Sequence, residues 1–424
     1  MIQRILRGLE ITLALLILGF ITGYSNPSLT HPIEKVRAFT RQIEFDYVEW
    51  MSNAAVVKIR AASAGIPYTL GHEAQEEIVN EHLRVTQLIL EKEYQLAQIY
   101  ANAEITDKEL ASEPLRAELD ELYARQRELA PLAEAILQEQ VSQVLAEVGL
   151  TAVGQPVPNV WYHSTPLPMA LIVSPRDRIE QVANISVDTN LTVDEQAHLE
   201  SNVDQGLNSS SLVVNIGGVG VYPTMVMRTT DLNWLLSTIA HEWIHNYLTL
   251  RPLGFSYNET PELRTMNETT ASIAGDEIGA LVVQRFYPER LAASPLIPGL
   301  VSVPTNHPNP ADLPRPPFDF RAQMHETRTT TDALLAEGKI EEAEAYMEER
   351  RLVFLQNGYL LRKINQAYFA FHGAYADSPG GAAGEDPVGP AVRTLREQSE
   401  SLADFVNTIS WMWKFEQLQK AVNP

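Results

Sequence analysis

The stretch Ser237–Leu248, STIAHEWIHNYL, sets His241 and His245 four residues apart, with Glu242 directly after the first histidine. Only an α-helix turns this spacing into chemistry. Residues four apart on a helix lie one turn above each other, so both imidazoles reach one point. Zinc takes imidazole nitrogens at about 2.0–2.1 Å. A carboxylate beside the first ligand is placed to take a proton from a water that the ion acidifies. The pattern is therefore two ligands and the base of a hydrolytic zinc site. A chain with 10 histidines in 424 residues carries it by chance in roughly 2 of 100 cases, before local context is weighed.

The context predicts the required helix. Thr230 or Asp231 can cap its start. Leu232, Leu235, Leu236, Ile239, Trp243 and Ile244 form an apolar side, and Pro252 and Gly254 end it. A second helix is predicted from Pro261 to Phe286. Catalytic zinc needs a third protein ligand and an open position. The chain has no cysteine, and no third histidine follows closely. The candidates are the carboxylates Glu259, Glu262, Glu268, Asp276 and Glu277.

His241-Glu242-x-x-His245 followed by Asn267-Glu268-x-x-Ala271 resembles the gluzincin metallopeptidases, which carry an N-E-x-x-[SA] helix. The likeness covers about 40 contiguous residues. It implies an α+β, helix-rich fold with a zincin-like catalytic domain: a small sheet and two metal-bearing helices. It implies Zn2+ as cofactor, Glu268 as third ligand, Glu242 as general base and a peptide or protein as substrate. One position departs: where thermolysin-like members place an Asp four residues after the ligand Glu, this chain has Ser272. Asp276, one turn further on, is the candidate replacement for orienting a histidine.

The segment YMEERRLVFLQNGYLLRKINQAYFAFHGAYADSPG, residues 346–380, is similar to a segment of poorly characterised bacterial aminopeptidase-like proteins. In gluzincins a Tyr or His of a later helix steadies the oxyanion of the tetrahedral intermediate. Tyr368, His372 and Tyr375 share a helix face, and His372 or Tyr368 is expected to take that role; aromatic core packing is the competing reading. Val219–Val226, with Pro223, suits an edge strand that pairs with substrate backbone. The G-x-M-E-N motif that holds a free amine in one aminopeptidase family is absent, so exo- and endopeptidase readings both stay open.

Around this centre the chain divides by pattern. Residues 1–25 join Arg4 and Arg7 to an apolar run from Ile11 to Tyr24, the layout of a signal sequence or membrane anchor. Residues 33–150 predict a helical hairpin domain, with Thr106 capping one helix and a kink at Pro131. His72 and His82 are expected on its surface. Residues 151–376 form the expected catalytic domain. In it NVWYHST and MALIVSP read as strands, and SLVVNIGGVGVYPTMVM reads as a hairpin turning near Gly217 and Gly218. Residues 292–319 are proline-rich, and residues 330–376 are helical. Residues 377–390 read as a flexible break, and residues 391–424 as a single C-terminal helix.

A net charge of −22 argues against a nucleic-acid partner, which needs a basic surface. The expected partners are a peptide or protein substrate and, through the N-terminal segment, a membrane. The expected location is membrane-anchored or secreted, with the catalytic domain outside the cytoplasm. The rival reading is a non-catalytic, membrane-tethered helical scaffold with a structural or vestigial metal site. An intact Glu242 weighs against it, because a structural site needs no base.

Overall fold

The computed structural model describes residues 31–64, 69–101, 105–152, 154–292 and 318–423. The N-terminal segment 1–30 and most of the proline-rich stretch lie outside them. Among the described residues no helix is long and apolar enough to cross a membrane.

Helices α1 (Pro32–Thr40) and α2 (Tyr47–Ala64) precede two long helices, α3 (His72–Ala101) and α4 (Lys108–Glu147). The last two pack as the expected hairpin. Hydrogen bonds pair Glu93 with Tyr123, Thr86 with Gln126 and Gln75 with Gln140, a register that runs antiparallel. The cap is one residue later than expected. Asp107, not Thr106, accepts from the Leu110 N–H at 3.0 Å, and its charge also suits the positive end of the helix dipole. The helix runs on unbroken through Pro131.

His82 is not a surface residue. It is 4% exposed, on the α3 face that carries Val79 and Leu83. Burial lowers its pKa, with Glu134 opposing and Lys58 adding to the shift. Those two neighbours form a buried ion pair that locks α2 onto α4. Burial pushes the Glu134 carboxyl up, but Lys58 and His163 pull it further down, to about 2. A depressed carboxyl stabilises the fold above its ordinary pKa near 4.5, and that contribution is lost as pH falls from there toward 2. Glu134→Ala strands the Lys58 charge. It is expected to cost about 3–5 kcal/mol in denaturant unfolding at pH 7 and to flatten the loss below pH 4.5.

Strands β1 (Tyr162–Ser164), β2 (Met169–Pro175) and β3 (Ala183–Val187) follow, then helix α5 (Val193–Leu207) and strands β4 (Ser209–Asn215), β5 (Gly218–Val219) and β6 (Thr224–Val226). They build two three-stranded sheets. One is antiparallel, in the order β3-β2-β4, with Leu171 opposite Ile185 and Val213. The other has the order β1-β6-β5, with β1 parallel and β5 antiparallel to β6. The expected hairpin about Gly217–Gly218 is therefore corrected. Asn215 ends a strand of the first sheet, and the chain enters the second at Gly218. Strand β2 reads as continuous apolar sequence because both its faces are covered. Ala170 and Ile172 pack with Tyr368 and Phe369, while Leu171 and Val173 pack with Val36 and Leu199.

Helices α6 (Leu232–Leu248), α7 (Pro252–Phe255) and α8 (Pro261–Phe286) come next. Asp231 caps α6 through the Trp234 N–H at 3.1 Å. Helix α8 presents Gly275 and Gly279 to α6. A Cβ on Gly275 would lie 2.9 Å from the His241 Cβ, and one on Gly279 would lie 2.5 Å from Ser237 Oγ. The two helices thus approach to backbone contact beside His241.

Helices α9 (Phe320–Ala336), α10 (Ile340–Gln356) and α11 (Gln366–His372) complete the central region. The glycine-rich segment after α11 is held rather than loose. Arg321 donates to the carbonyls of Ser378 and Pro379, each at 2.6 Å, and Arg328 to that of Ala382 at 3.1 Å. Gly380, Gly381 and Gly384 take positive φ, so the glycines serve a tight path. The single C-terminal helix is corrected to three: α12 (Val388–Gln398), α13 (Leu402–Ser410) and α14 (Phe415–Val422). The apolar spacing persists, but Ser401 accepts from the Asp404 N–H at 3.1 Å and starts a new helix. The whole is a helix-rich α+β fold with small sheets.

Candidate metal centre

Helices α6 and α8 bring His241, His245 and Glu268 together, with one ligand atom of each lying within 4.8 Å of the others. The Nε2 atoms of the two histidines are 3.0 Å apart. Glu268 Oε2 lies 3.6 Å from His241 Nε2 and 3.5 Å from His245 Nε2. The point in their plane equidistant from these three atoms is about 2.0 Å from each, the length of a metal–ligand bond. Glu268 is 4% exposed, and its Oε2 is buried without a hydrogen-bond partner. A buried carboxylate oxygen left unpaired is costly, and a cation at this point removes the cost. The three residues fit a divalent metal.

The surrounding groups hold the ligands in place. The second Glu268 oxygen accepts from the Tyr257 hydroxyl. His245 Nδ1 donates to Asn267 Oδ1 at 2.8 Å, which leaves Nε2 for the metal. Asn267 is itself fixed by donating to the Leu253 carbonyl at 3.3 Å. The histidine-orienting role sought at Asp276 is thus filled for His245 by Asn267. Asp276 hydrogen-bonds Ser237, and burial and Asp377 raise its pKa, with His241 opposing. Of the other carboxylates considered, Glu259 and Glu262 are exposed, and Glu277 binds Arg396 with two contacts of 2.8 Å.

Burial pushes Glu268 up, but the two histidines outweigh it and hold its carboxyl well below the usual range. Burial pulls His245 down, yet Glu268 outweighs it and, with Glu242 and Asn267, raises it to about 9.

Glu242 is 7% exposed beneath strand β5. A Cβ on Gly218 would lie 2.5 Å from its Oε1, and one on Gly220 would lie 3.4 Å from its Oε2. Only glycine lets this edge strand pass so close to the carboxylate. Burial raises the Glu242 pKa, Glu268 adds to the rise, and the histidines oppose it.

A chain segment crosses between the two sheets on the same side. Phe45 N–H donates to the Ser186 carbonyl of β3 at 3.0 Å, and the Tyr47 hydroxyl meets Ser186 Oγ at 2.7 Å. Trp50 Nε1 reaches Thr165 Oγ1, just past β1, at 3.4 Å. Burial raises the Tyr47 pKa, and Tyr47 is close enough to Glu242 to feel its charge.

The three aromatic candidates do not share one helix face: α11 ends at His372, and Tyr375, beyond it, is the one that stacks on a metal-site histidine, at 6.4 Å between its ring centre and that of His241. Burial raises its pKa, and the charges of Glu268 and Glu242 add to this. Tyr368 and His372 pack on each other with ring centres 4.3 Å apart, and Tyr368 belongs to the core against β2 and β4. Burial lowers the His372 pKa to about 4, and Arg264 adds to this, so its imidazole is neutral at pH 7. Comparison of the chain with protein-family models, curated proteins and solved structures returns no match.

Proposed function

We propose that the protein is a zinc metallopeptidase with a zincin-like catalytic unit of gluzincin type. The observation that carries this reading is the convergence of the buried Glu268 Oε2, which accepts no hydrogen bond, on both Nε2 atoms, with Glu242 one residue from the first ligand. His241, His245 and Glu268 hold the ion. Bound there, zinc supplies Lewis acidity, which acidifies a water and polarises the scissile carbonyl.

The chain's own groups do the rest. Glu242 accepts the proton of the attacking water on its carboxylate and delivers it to the leaving amine. Its burial keeps it out of bulk water and its basicity raised. Strand β5 is the edge of its sheet among the described residues and passes over Glu242, the place where an extended peptide would add to the sheet. Tyr375 donates its hydroxyl to the oxyanion, the role first sought at His372 and Tyr368. Its raised pKa keeps that proton on the oxygen at neutral pH.

Tyr375→Phe is expected to lower kcat by about 10²–10³-fold with zinc content and KM nearly unchanged. Unaltered kcat returns the role to His372 or Tyr368. A peptide-library digest read by mass spectrometry tests the function itself. Cleavage that stops on chelation and returns with zinc supports the reading, and intact peptides throughout refute it. The cut positions also separate trimming of termini from internal cleavage. The apolar N-terminal segment supports placement of this activity at, or beyond, a membrane.

A further inference from the structure

Arg264 lies on α8, one turn ahead of Glu268, and is 7% exposed. Its Nη1 donates to the Ala370 carbonyl at 2.6 Å, and its Nε–H is buried without a partner. The Tyr257 hydroxyl also hydrogen-bonds the guanidinium. Tyr375 and His372 are close enough to feel its charge. Among the described residues no carboxylate forms an ion pair with it. This is unusual for a guanidinium so deeply placed, because burying a charge costs several kcal/mol unless it is paired.

A strap between α8 and α11 explains only part of this. The Ala370 and Tyr257 bonds use two of five N–H groups, and a neutral amide donor would serve the first as well. The positive charge and the free Nε–H remain unexplained. Their setting is the wall of the metal centre, shared with Tyr257 and Tyr375. Asp276 and Asp377 act on each other and Asp276 on His241, while Arg264 is the positive charge felt by Tyr257 and Tyr375. The chain as a whole carries −22, so this positive charge is local and set against the global field.

We propose that Arg264 recognises the substrate, binding a carboxylate of the peptide. That carboxylate is either the free C-terminus or an Asp or Glu side chain. This rests on the metallopeptidase reading and adds a specificity to it. A planar guanidinium suits a carboxylate because two N–H groups meet two oxygens.

The test uses zinc-loaded Glu242→Gln protein, which binds peptides without cutting them, in calorimetry. Three probes are compared: N-acetyl-Ala-Ala-Ala as the free acid, the same peptide as its C-terminal amide, and N-acetyl-Ala-Glu-Ala-amide. One of the two carboxylate probes is expected to bind roughly 10- to 100-fold tighter than the neutral amide, as loss of a charge-assisted hydrogen bond predicts. Preference for the free acid assigns the C-terminus, and preference for the Glu peptide assigns a side chain. Adding Arg264→Gln should erase the difference without changing zinc content. Arg264→Lys, which keeps the charge and loses the fork, should retain a reduced preference, and it serves if the Gln variant fails to fold. Equal binding of all three probes, a preference that survives in Arg264→Gln, or one that is undiminished in Arg264→Lys overturns the proposal. The two readings fail separately. Zinc binding and hydrolysis without carboxylate preference remove only the Arg264 assignment. Carboxylate preference without zinc or hydrolysis removes the metallopeptidase.

Discussion

Glu242→Gln is expected to lower peptide hydrolysis by about 10²–10⁴-fold while the protein still binds one zinc per chain. The substitution keeps the size of the side chain, which the close passage of Gly218 and Gly220 demands. It also leaves no new charge in a position that is 7% exposed, so the fold should tolerate it. What disappears is the ability to accept a proton. Zinc retention follows because Glu242 is not among the three residues whose ligand atoms converge. A structural site predicts the opposite profile, since removing a base changes nothing that a scaffold does. Hydrolysis at the wild-type rate in this variant would remove Glu242 from the mechanism.

Glu268→Ala is expected to abolish stoichiometric zinc binding. Loss of even an outer partner of a ligand costs about 10–100-fold in affinity, and loss of a ligand itself costs more. The two histidines remain, but their Nε2 atoms lose the carboxylate that faces both at 3.5–3.6 Å. The Tyr257 hydroxyl also loses its acceptor. The variant separates the carboxylates considered from sequence. Full zinc retention would pass the role to Glu259, Glu262 or Glu277, although two of these are exposed and the third is bound to Arg396.

The metal-bearing helices were legible because their signals are local. Asp231, the apolar side of α6 and the bounds Pro261–Phe286 follow from capping and periodicity within one turn or two. The side chains that complete the centre were less legible, because pairing across elements has no sequence period. Asn267 had a signal, standing beside Glu268, but its contact with His245 depends on how α6 and α8 cross. Gly275 and Gly279, four apart in a helix, mark the close crossing that brings Glu268 to the histidines. Tyr257 and Arg264 carried no readable mark at all. The chain's move from one sheet to the other at Asn215–Gly218 was missed because two apolar runs around paired glycines look the same as a hairpin. The first of the two breaks between the last three helices was missed because capping by Ser401 overrides an apolar pattern that continues across it. His82 looked polar and exposed, yet it lies on the buried face of α3 with Val79 and Leu83.

The most direct measurement strips the wild-type protein of metal and titrates zinc back, following bound metal and peptide hydrolysis in the same samples. The account predicts that both rise together and saturate at one zinc per chain. Hydrolysis that persists in the stripped protein, or zinc that binds at one per chain without restoring any cleavage, would contradict it.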